Sequence, residues 1–182
     1  MLNNISEITE ALNNLTNEVK LHFAHLNIEQ LNYKPNETAW SIAQCLNHLI
    51  VANQTYYPQL KQIINGQHKN SFYQRVGFIA DWMGNRLLKD IDPQTTTAKF
   101  KNPTVFAPSA SHFSKSIVSE FETHQHELIA LIQQLPSNQL QHAVISSPAA
   151  GVIIYRLVLA LNIIVAHEKR HLAQALRISY PA

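Results

Sequence analysis

The chain begins with apolar residues at helical spacing, separated by asparagine, glutamate and other polar residues. The apolar positions are Leu2, Ile5, Ile8, Leu12, Leu15, Val19 and Leu26. Spacings of three, four and seven residues place such side chains on one face of an α-helix, with the polar positions toward water. The pattern predicts a first helix over about residues 3–25.

A second helix is predicted to begin at Ser41, after a loop that contains Pro35. The segment Ser41-Ile42-Ala43-Gln44 fits a capping box, in which the serine side chain accepts from an amide of the first turn and the glutamine reaches back to the cap. Helical spacing then continues to Gly66, where the helix should end, and Pro58 should kink it on the way. His48 would lie about two turns inside this helix.

The middle of the chain has a weaker pattern. A short helix is predicted over about residues 76–91, followed by a loop from Asp92 to Ser111 that contains three prolines. Loops of this length in a compact domain are usually functional or disordered. Because the loop carries Phe100, Val105 and Phe106, we expect an ordered cover over a pocket.

Two further long helices are predicted, the third over about residues 112–135 and the fourth over about residues 152–178. Nearly every position between Val152 and Val165 is apolar, so the fourth helix should be the most buried element. Four long helices joined by loops, in a chain with only four glycines, predict an all-α fold. We expect an up-down antiparallel four-helix bundle with one extra short helix, in a single domain over residues 1–182.

Composition narrows the classes of function. Fourteen Lys and Arg residues stand against twelve Asp and Glu residues, and the net charge of +2 is too small to predict nucleic-acid binding. The only cysteine, Cys45, excludes an intramolecular disulfide, favours a reducing compartment, and is expected to be a small buried residue rather than a catalytic thiol.

Neither a membrane segment nor a secretory signal is predicted. The longest apolar stretch, Val152 to Ala166, contains Arg156 and Asn162 and falls short of the roughly 20 apolar residues that a bilayer requires. The N-terminal segment lacks the cationic region of a signal peptide. We therefore expect a cytoplasmic protein.

Ten histidines are an unusually high number, and the informative pair is His167 and His171 in the predicted fourth helix. Residues at i and i+4 lie one turn apart on the same helical face, so both imidazoles can converge on one divalent metal ion. His48 is the favoured third ligand because its apolar helix should pack against the fourth. Three neutral imidazoles would leave a coordination position open, which is typical of a catalytic rather than a structural site.

Other assignments of the histidines stay open. His124 falls on the inward stripe of the predicted third helix and could line the pocket or replace His48. Taken alone, His48 could instead be a histidine at the edge of the core, bonded to a carbonyl group, and the pair His167 and His171 could be an exposed pair that arises by chance in a histidine-rich chain. His22 and His25 suit the end of the first helix. The remaining candidates look like loop or cap residues, namely His68, His112 and His142.

Residues 167–171 also match the H-E-x-x-H pattern of zinc peptidases, with Glu168 as the general base. Such peptidases normally take their third ligand downstream, yet only eleven residues follow His171 and none is His, Asp, Glu or Cys. The third ligand must come from upstream, which disfavours a peptidase. The catalytic residues stay unassigned, although Glu168 or Gln174 could support a metal-bound water.

Three pieces of the sequence together resemble a known family. They are Trp40-Ser41-Ile42-Ala43-Gln44 leading to His48, the pair His167 and His171 followed by Gln174, and Phe106-Ala107-Pro108 before the third helix. With these pieces the chain resembles the DinB-like superfamily, also described as DinB/YfiT-like metalloenzymes. The resemblance implies a four-helix bundle that binds zinc or nickel through His48, His167 and His171 and often forms a homodimer.

The resemblance also implies a range of activities. Characterised relatives include thiol S-transferases that use bacillithiol or mycothiol and a maleylpyruvate isomerase, while many members are described only as metal-dependent hydrolases. Our leading hypothesis is a metalloenzyme that acts on a small molecule, possessing either hydrolase or low-molecular-weight thiol transferase activity. The alternative is a non-catalytic bundle that binds a small apolar ligand or a partner protein and has a vestigial metal site.

Overall fold

The computed structural model describes residues 1–71, 74, 77–92 and 106–178. Most of the predicted loop between the short helix and the third long helix, including Phe100 and Val105, lies outside these residues. The described elements are α1 Ile5–Phe23, α2 Ile28–Asn32, α3 Ile42–Gln54, α4 Tyr57–Ile64, α5 Gly77–Ile91, α6 Ile117–Gln133, α7 Gln139–His142, β1 Val144–Ser147, β2 Ala150–Arg156 and α8 Leu157–Leu176.

The first helix forms where the apolar stripe predicts it. Asn4 caps α1, because its side chain accepts from the Glu7 amide at 2.8 Å. The buried apolar residues of this helix are Ile8, Leu12, Leu15, Val19 and Phe23. The predicted helix is therefore confirmed, with bounds that are two residues shorter at each end.

The second predicted helix is divided into α3 and α4. The capping box is confirmed: Ser41 accepts from the Gln44 amide at 3.2 Å, and Gln44 accepts from the Ser41 amide at 3.1 Å. α3 ends at Gln54, and Pro58 lies in the first turn of α4, where a missing amide hydrogen costs nothing. The structure thus has a helix break where the sequence predicted a kink.

The fourth predicted helix begins five residues later than expected. Residues 152–156 belong to β2, which pairs antiparallel with β1 in a hairpin, with Ile145 opposite Tyr155. The all-α prediction is therefore wrong in this segment. β-Branched and aromatic residues such as Val152, Ile153 and Tyr155 favour a strand, and apolar content alone does not distinguish a buried helix from a strand.

The core is formed by α1, α3, α6 and α8. Among these four helices, α1 packs mainly against α6 and α8, and α3 packs mainly against the same two helices. α1 and α3 therefore lie diagonally opposite each other. Every residue from Leu157 to Ala166 in α8 is buried, which confirms that the last helix is the most buried element. Among the described residues, no helix combines the length and the hydropathy needed to span a membrane.

Contacts between the ends of the helices give their directions. Lys20 near the end of α1 pairs with Glu122 near the start of α6, with Nζ and Oε1 2.6 Å apart, so these helices run in opposite directions. The Leu2 amide donates to Asn162 Oδ1 at 2.8 Å, which brings the starts of α1 and α8 to the same end of the bundle.

α3 runs opposite to α8, because Trp40 before α3 lies against His171 late in α8, while Tyr56 after α3 bonds to Tyr155 before α8. α1 and α8 therefore run one way, and α3 and α6 run the other. This arrangement departs from the simple up-down alternation that the sequence predicted.

The predicted extra helix, observed as α5, explains this departure. Early in α8, Leu159 is so close to Gly84 of α5 that an added Cβ at Gly84 would lie 2.7 Å from Leu159 Cδ1. Late in α8, Arg170 Nη1 donates to the carbonyls of Asp90 and Ile91 at the end of α5, at 3.5 and 3.3 Å. α5 therefore runs parallel to α8 and returns the chain to the end where α3 starts, so that α6 repeats the direction of α3.

Candidate metal centre

The structure brings His48, His167 and His171 together between α3 and α8. One nitrogen of each ring lies within 4.8 Å of the corresponding nitrogens of the other two, and Nε2 of His48 lies 3.1 Å from Nε2 of His167. His48 and His171 are buried and His167 is half-buried. The i, i+4 spacing on α8 supplies two of the rings, and the antiparallel packing of α3 supplies the third. We refer to these residues as the histidine cluster.

A backbone carbonyl fixes the tautomer of His48. The Nδ1 of His48 makes a short hydrogen bond to the carbonyl oxygen of Phe106. Since a carbonyl oxygen can only accept, Nδ1 carries the proton and Nε2 offers a lone pair. Histidines that bind metals commonly donate their other ring hydrogen to a carbonyl in this way.

Burial keeps the three imidazoles neutral. Desolvation lowers the pKa of His48, although the bond to Phe106 opposes this effect. Desolvation, aided by the neighbouring His48 and Arg170, lowers the pKa of His167 to about 3. The pKa of His171 falls well below its ordinary value for the same main reason, partly offset by Gln174. Neutral imidazole is the form that binds a metal ion.

Aromatic residues surround the rings on one side. Trp40 stacks on His171, with ring centroids 5.7 Å apart and an interplanar angle of 23°, and its ring also lies 4.8 Å from that of His48. The Phe106 ring contacts His48 edge-on, at a centroid distance of 6.3 Å. These packed rings restrict the orientations that the histidine side chains can adopt.

The cluster fits a divalent metal ion. Three convergent, neutral nitrogen donors, two of them on buried residues, would be costly to leave without a partner. Nδ1 of His171 is buried and has no hydrogen-bond partner in the described part of the chain. Imidazole donors suit zinc and nickel among other transition metals.

Glu168, which the sequence offered as support for a metal-bound water, lies outside the histidine cluster. Its Oε1 accepts from Asn53 Nδ2 of α3 at 2.7 Å, and its Oε2 accepts from Gln125 Nε2 of α6 at 2.6 Å. Burial raises the pKa of Glu168 to about 7, although both hydrogen bonds act in the opposite direction. We refer to Asn53, Gln125 and Glu168 as the carboxylate–amide cluster.

His124 neither replaces nor joins His48. Its Nδ1 lies 3.2 Å from the Tyr57 hydroxyl, and the two rings stack with centroids 5.9 Å apart. Burial lowers the pKa of His124 to about 4, so it shares the neutral state of the cluster histidines without sharing their position. The buried Nε2 has no partner among the described residues.

The other histidines and Cys45 lie away from the cluster. Five histidines are exposed, namely His22, His25, His112, His126 and His142. His68 is half-buried and bonds to Asn70. Cys45 is buried as expected, and desolvation raises the pKa of its thiol to about 12. A thiol in that state is not a nucleophile at neutral pH.

A cavity of about 300 Å³ opens beside the histidine cluster. Its lining includes His167 and His171 of the histidine cluster and Ser147 and Ala150 of the hairpin. Phe106 also lines the cavity. One residue of the loop that was predicted to cover a pocket therefore does contact this cavity. A small molecule in this space could therefore reach a metal ion on the histidines.

Several contacts of the site were not predicted from the sequence. The Phe106 carbonyl could not have been found, because backbone groups leave no mark on a side-chain pattern. Asn53 and Gln125 did leave a signal, since each is a polar residue that the helical repeat places among apolar ones. A buried amide in such a stripe needs a partner, and Glu168 is that partner here.

Comparisons with known proteins agree with this architecture. The family model of the DinB superfamily matches residues 11–175. A solved structure of YfiT from Bacillus subtilis, described as a probable metal-dependent hydrolase with an unusual four-helix bundle topology, matches with a TM-score of 0.55 at 16% identity, covering 94% of this chain and 83% of that one. At this identity the match shows a shared fold. No curated protein matches the sequence.

Proposed function

The chain belongs to the DinB superfamily, and from this premise we propose that it is a metal-dependent enzyme with a zinc or nickel ion held by His48, His167 and His171. The proposed substrate is a small molecule that enters the adjacent cavity. The reaction is either hydrolysis of the substrate or the transfer of a low-molecular-weight thiol to it. The description of YfiT as a probable metal-dependent hydrolase supports the first of these reactions.

The observation that carries the proposal is the convergence of three neutral imidazoles, two buried and one half-buried, beside a cavity. A structural zinc site is closed by four protein ligands, whereas three ligands leave a position for water or substrate. Among the described residues, no Cys, Asp or Glu side chain completes the cluster as a fourth ligand. A bound divalent ion would supply a Lewis acid that lowers the pKa of water or of a thiol.

The chain's own residues contribute positioning. The Phe106 carbonyl holds Nδ1–H of His48 and leaves its Nε2 for the ion. Trp40 packs on His171, and the apolar cavity walls keep bulk water away from the reacting groups. A proton released by the nucleophile has no carboxylate acceptor within the histidine cluster in the described part of the chain, so water or the substrate would take it.

Metal analysis of three purified proteins tests the proposal. The wild type and a His124→Ala control should each retain about one metal ion per chain, because His124 is buried but lies outside the cluster. His171→Ala removes a metal ligand itself. Metal affinity should therefore fall by more than the roughly 10- to 100-fold that follows the loss of a residue that hydrogen-bonds to a ligand. Equal metal content in wild type and His171→Ala would contradict the assignment.

Ligand-induced thermal shifts distinguish the two reactions. If the enzyme is a thiol transferase, bacillithiol or mycothiol should raise the Tm of the metal-loaded wild type and leave the Tm of His171→Ala unchanged. If the enzyme is a hydrolase, neither thiol should give a shift that depends on His171. A shift of equal size in both proteins would show that the thiol binds away from the metal site.

A non-catalytic bundle that binds an apolar ligand is the second candidate. It is favoured by the absence of a general acid or base in the histidine cluster of the described chain. In that case the purified protein would contain no metal, and ligand affinity would be the same in wild type and His171→Ala. Assembly as a homodimer and a cytoplasmic location stay predictions.

A further inference from the structure

The cavity beside the histidine cluster has a largely apolar wall. Its lining comes from α3, α5, α8 and the β-hairpin, together with Phe106. Many of the lining side chains are aliphatic, including Ala52, Leu87 and Ile164. A cavity of about 300 Å³ is at the lower limit of the size of small-molecule sites, which are usually lined in this way.

The charged residues of the lining do not select a charged ligand. Asp90 and Arg170 have opposite charges, and both have partners within the protein. Arg86 Nε lies 2.9 Å from Oδ2 of Asp90, and Arg170 donates to carbonyls at the end of α5. An uncharged apolar group is therefore the ligand chemistry that matches the middle of the cavity.

Building on the proposed metal function, we propose that the substrate carries an uncharged acyl or alkyl chain, which the cavity holds while the polar reacting group lies at the histidine cluster. The lining offers both kinds of group that such a molecule requires. Ring nitrogens are present at the histidine cluster, and aliphatic side chains form much of the remaining wall. If the enzyme transfers a hydrophilic thiol, the cavity holds the other, apolar substrate.

Calorimetric titration of the zinc-loaded protein with n-alkyl hydroxamic acids tests this proposal. A hydroxamate chelates zinc, and its alkyl chain would extend into the cavity. Each added methylene should lower Kd about fourfold until the cavity is full. The primary amides of the same chain lengths, which chelate zinc poorly, should show the same dependence on length at weaker affinity.

The two ligand series separate the cavity proposal from the metal proposal. If hydroxamates bind more tightly than amides but chain length has no effect, the cavity proposal is overturned and the metal proposal stands. If both series gain affinity with length but bind equally tightly, the cavity proposal stands and the metal proposal fails.

A pair of tryptophan substitutions locates the binding site. Ala150→Trp should fill the part of the cavity that the hairpin lines, so that affinity stops increasing at a shorter chain. Ala130→Trp, on the exposed face of α6, should leave the whole series unchanged. If Ala150→Trp does not fold, Ile153→Trp fills the same region. The same affinity series in wild type, the cavity variant and Ala130→Trp would overturn the proposal.

Discussion

The histidine cluster and the carboxylate–amide cluster share helix α8 but differ in whether the protein satisfies the polar atoms of the side chains that α8 contributes. Both oxygens of Glu168 accept from buried side-chain amides of other helices. The three imidazoles converge beside a cavity, and Nδ1 of His171 has no partner among the described residues. The carboxylate–amide cluster therefore ties α3, α6 and α8 together, while the histidine cluster is suited to a ligand from outside the chain.

His167 and Glu168 are adjacent in sequence and still belong to different clusters. Successive residues of an α-helix point about 100° apart, whereas residues at i and i+4 point about 40° apart. His167 and His171 consequently share one face, and Glu168 points to another. The H-E-x-x-H pattern therefore has no peptidase geometry here, because its glutamate is held inside the bundle.

The largest effect on stability is expected from Glu168→Ala. The change leaves the buried amides of Asn53 and Gln125 without their acceptor and opens a small cavity, so the free energy of unfolding should fall by on the order of 4 kcal/mol. Urea denaturation measures this loss. Metal bound per folded chain should stay the same, because the carboxylate does not contact the cluster. A variant of normal stability that loses its metal would reverse the roles of the two clusters.

A smaller effect should appear in the pH dependence of stability through His124. Its pKa is lowered to about 4 in the folded protein from an ordinary value of 6.5, so between these values the unfolded chain binds more protons. The stability contribution is complete above pH 6.5 and is lost as the pH falls toward 4. The wild type should therefore lose about 3 kcal/mol more than His124→Gln over this range.

Chemical denaturation of the metal-loaded proteins at several pH values measures that difference. His126→Gln is a suitable control, since His126 is an exposed neighbour on α6. Its profile should follow that of the wild type. If His124→Gln also followed the wild type, His124 would not be held neutral by burial.

The smallest effect is expected from the cap of α3. Ser41→Ala removes the acceptor for the Gln44 amide and should lower the free energy of unfolding by about 1 kcal/mol. Ser41→Asn keeps an acceptor and should lose less. Since α3 carries both His48 and Asn53, loss of the cap should affect the two clusters equally, and metal content should stay unchanged. A selective loss of metal would show that the cap positions His48.

Much of the fold could be predicted because helices leave a periodic signal. Local structure was predicted correctly from three such signals, namely the apolar stripe in α1, the capping box of α3 and the apolar run in α8. The β-hairpin was missed, because the apolar residues from 152 continue from strand to helix with only Arg156 between them, and apolar content alone does not distinguish the two structures. The direction of α6 was missed because it depends on α5, whose contacts with α8 are long-range.

The histidine cluster was predicted in part by spacing and in part by resemblance. Spacing identified His167 and His171, since a helix places i and i+4 on one face. The assignment of His48 required the packing of two helices, since His48 and His167 are 119 residues apart in sequence. His124 was an equally regular alternative on the inward stripe of another helix. The contacts that distinguish them, such as the Phe106 carbonyl, arise only when the chain is folded.

X-ray absorption spectroscopy of the zinc-loaded protein would identify the ligands of the metal ion. We expect three imidazole nitrogens and one further light atom at roughly 2.0–2.1 Å from the metal. His171→Ala should show one imidazole fewer, while Glu168→Gln should give the wild-type spectrum. A metal shell with a sulfur ligand, or one from which His171→Ala removes no imidazole, would contradict the three-histidine site.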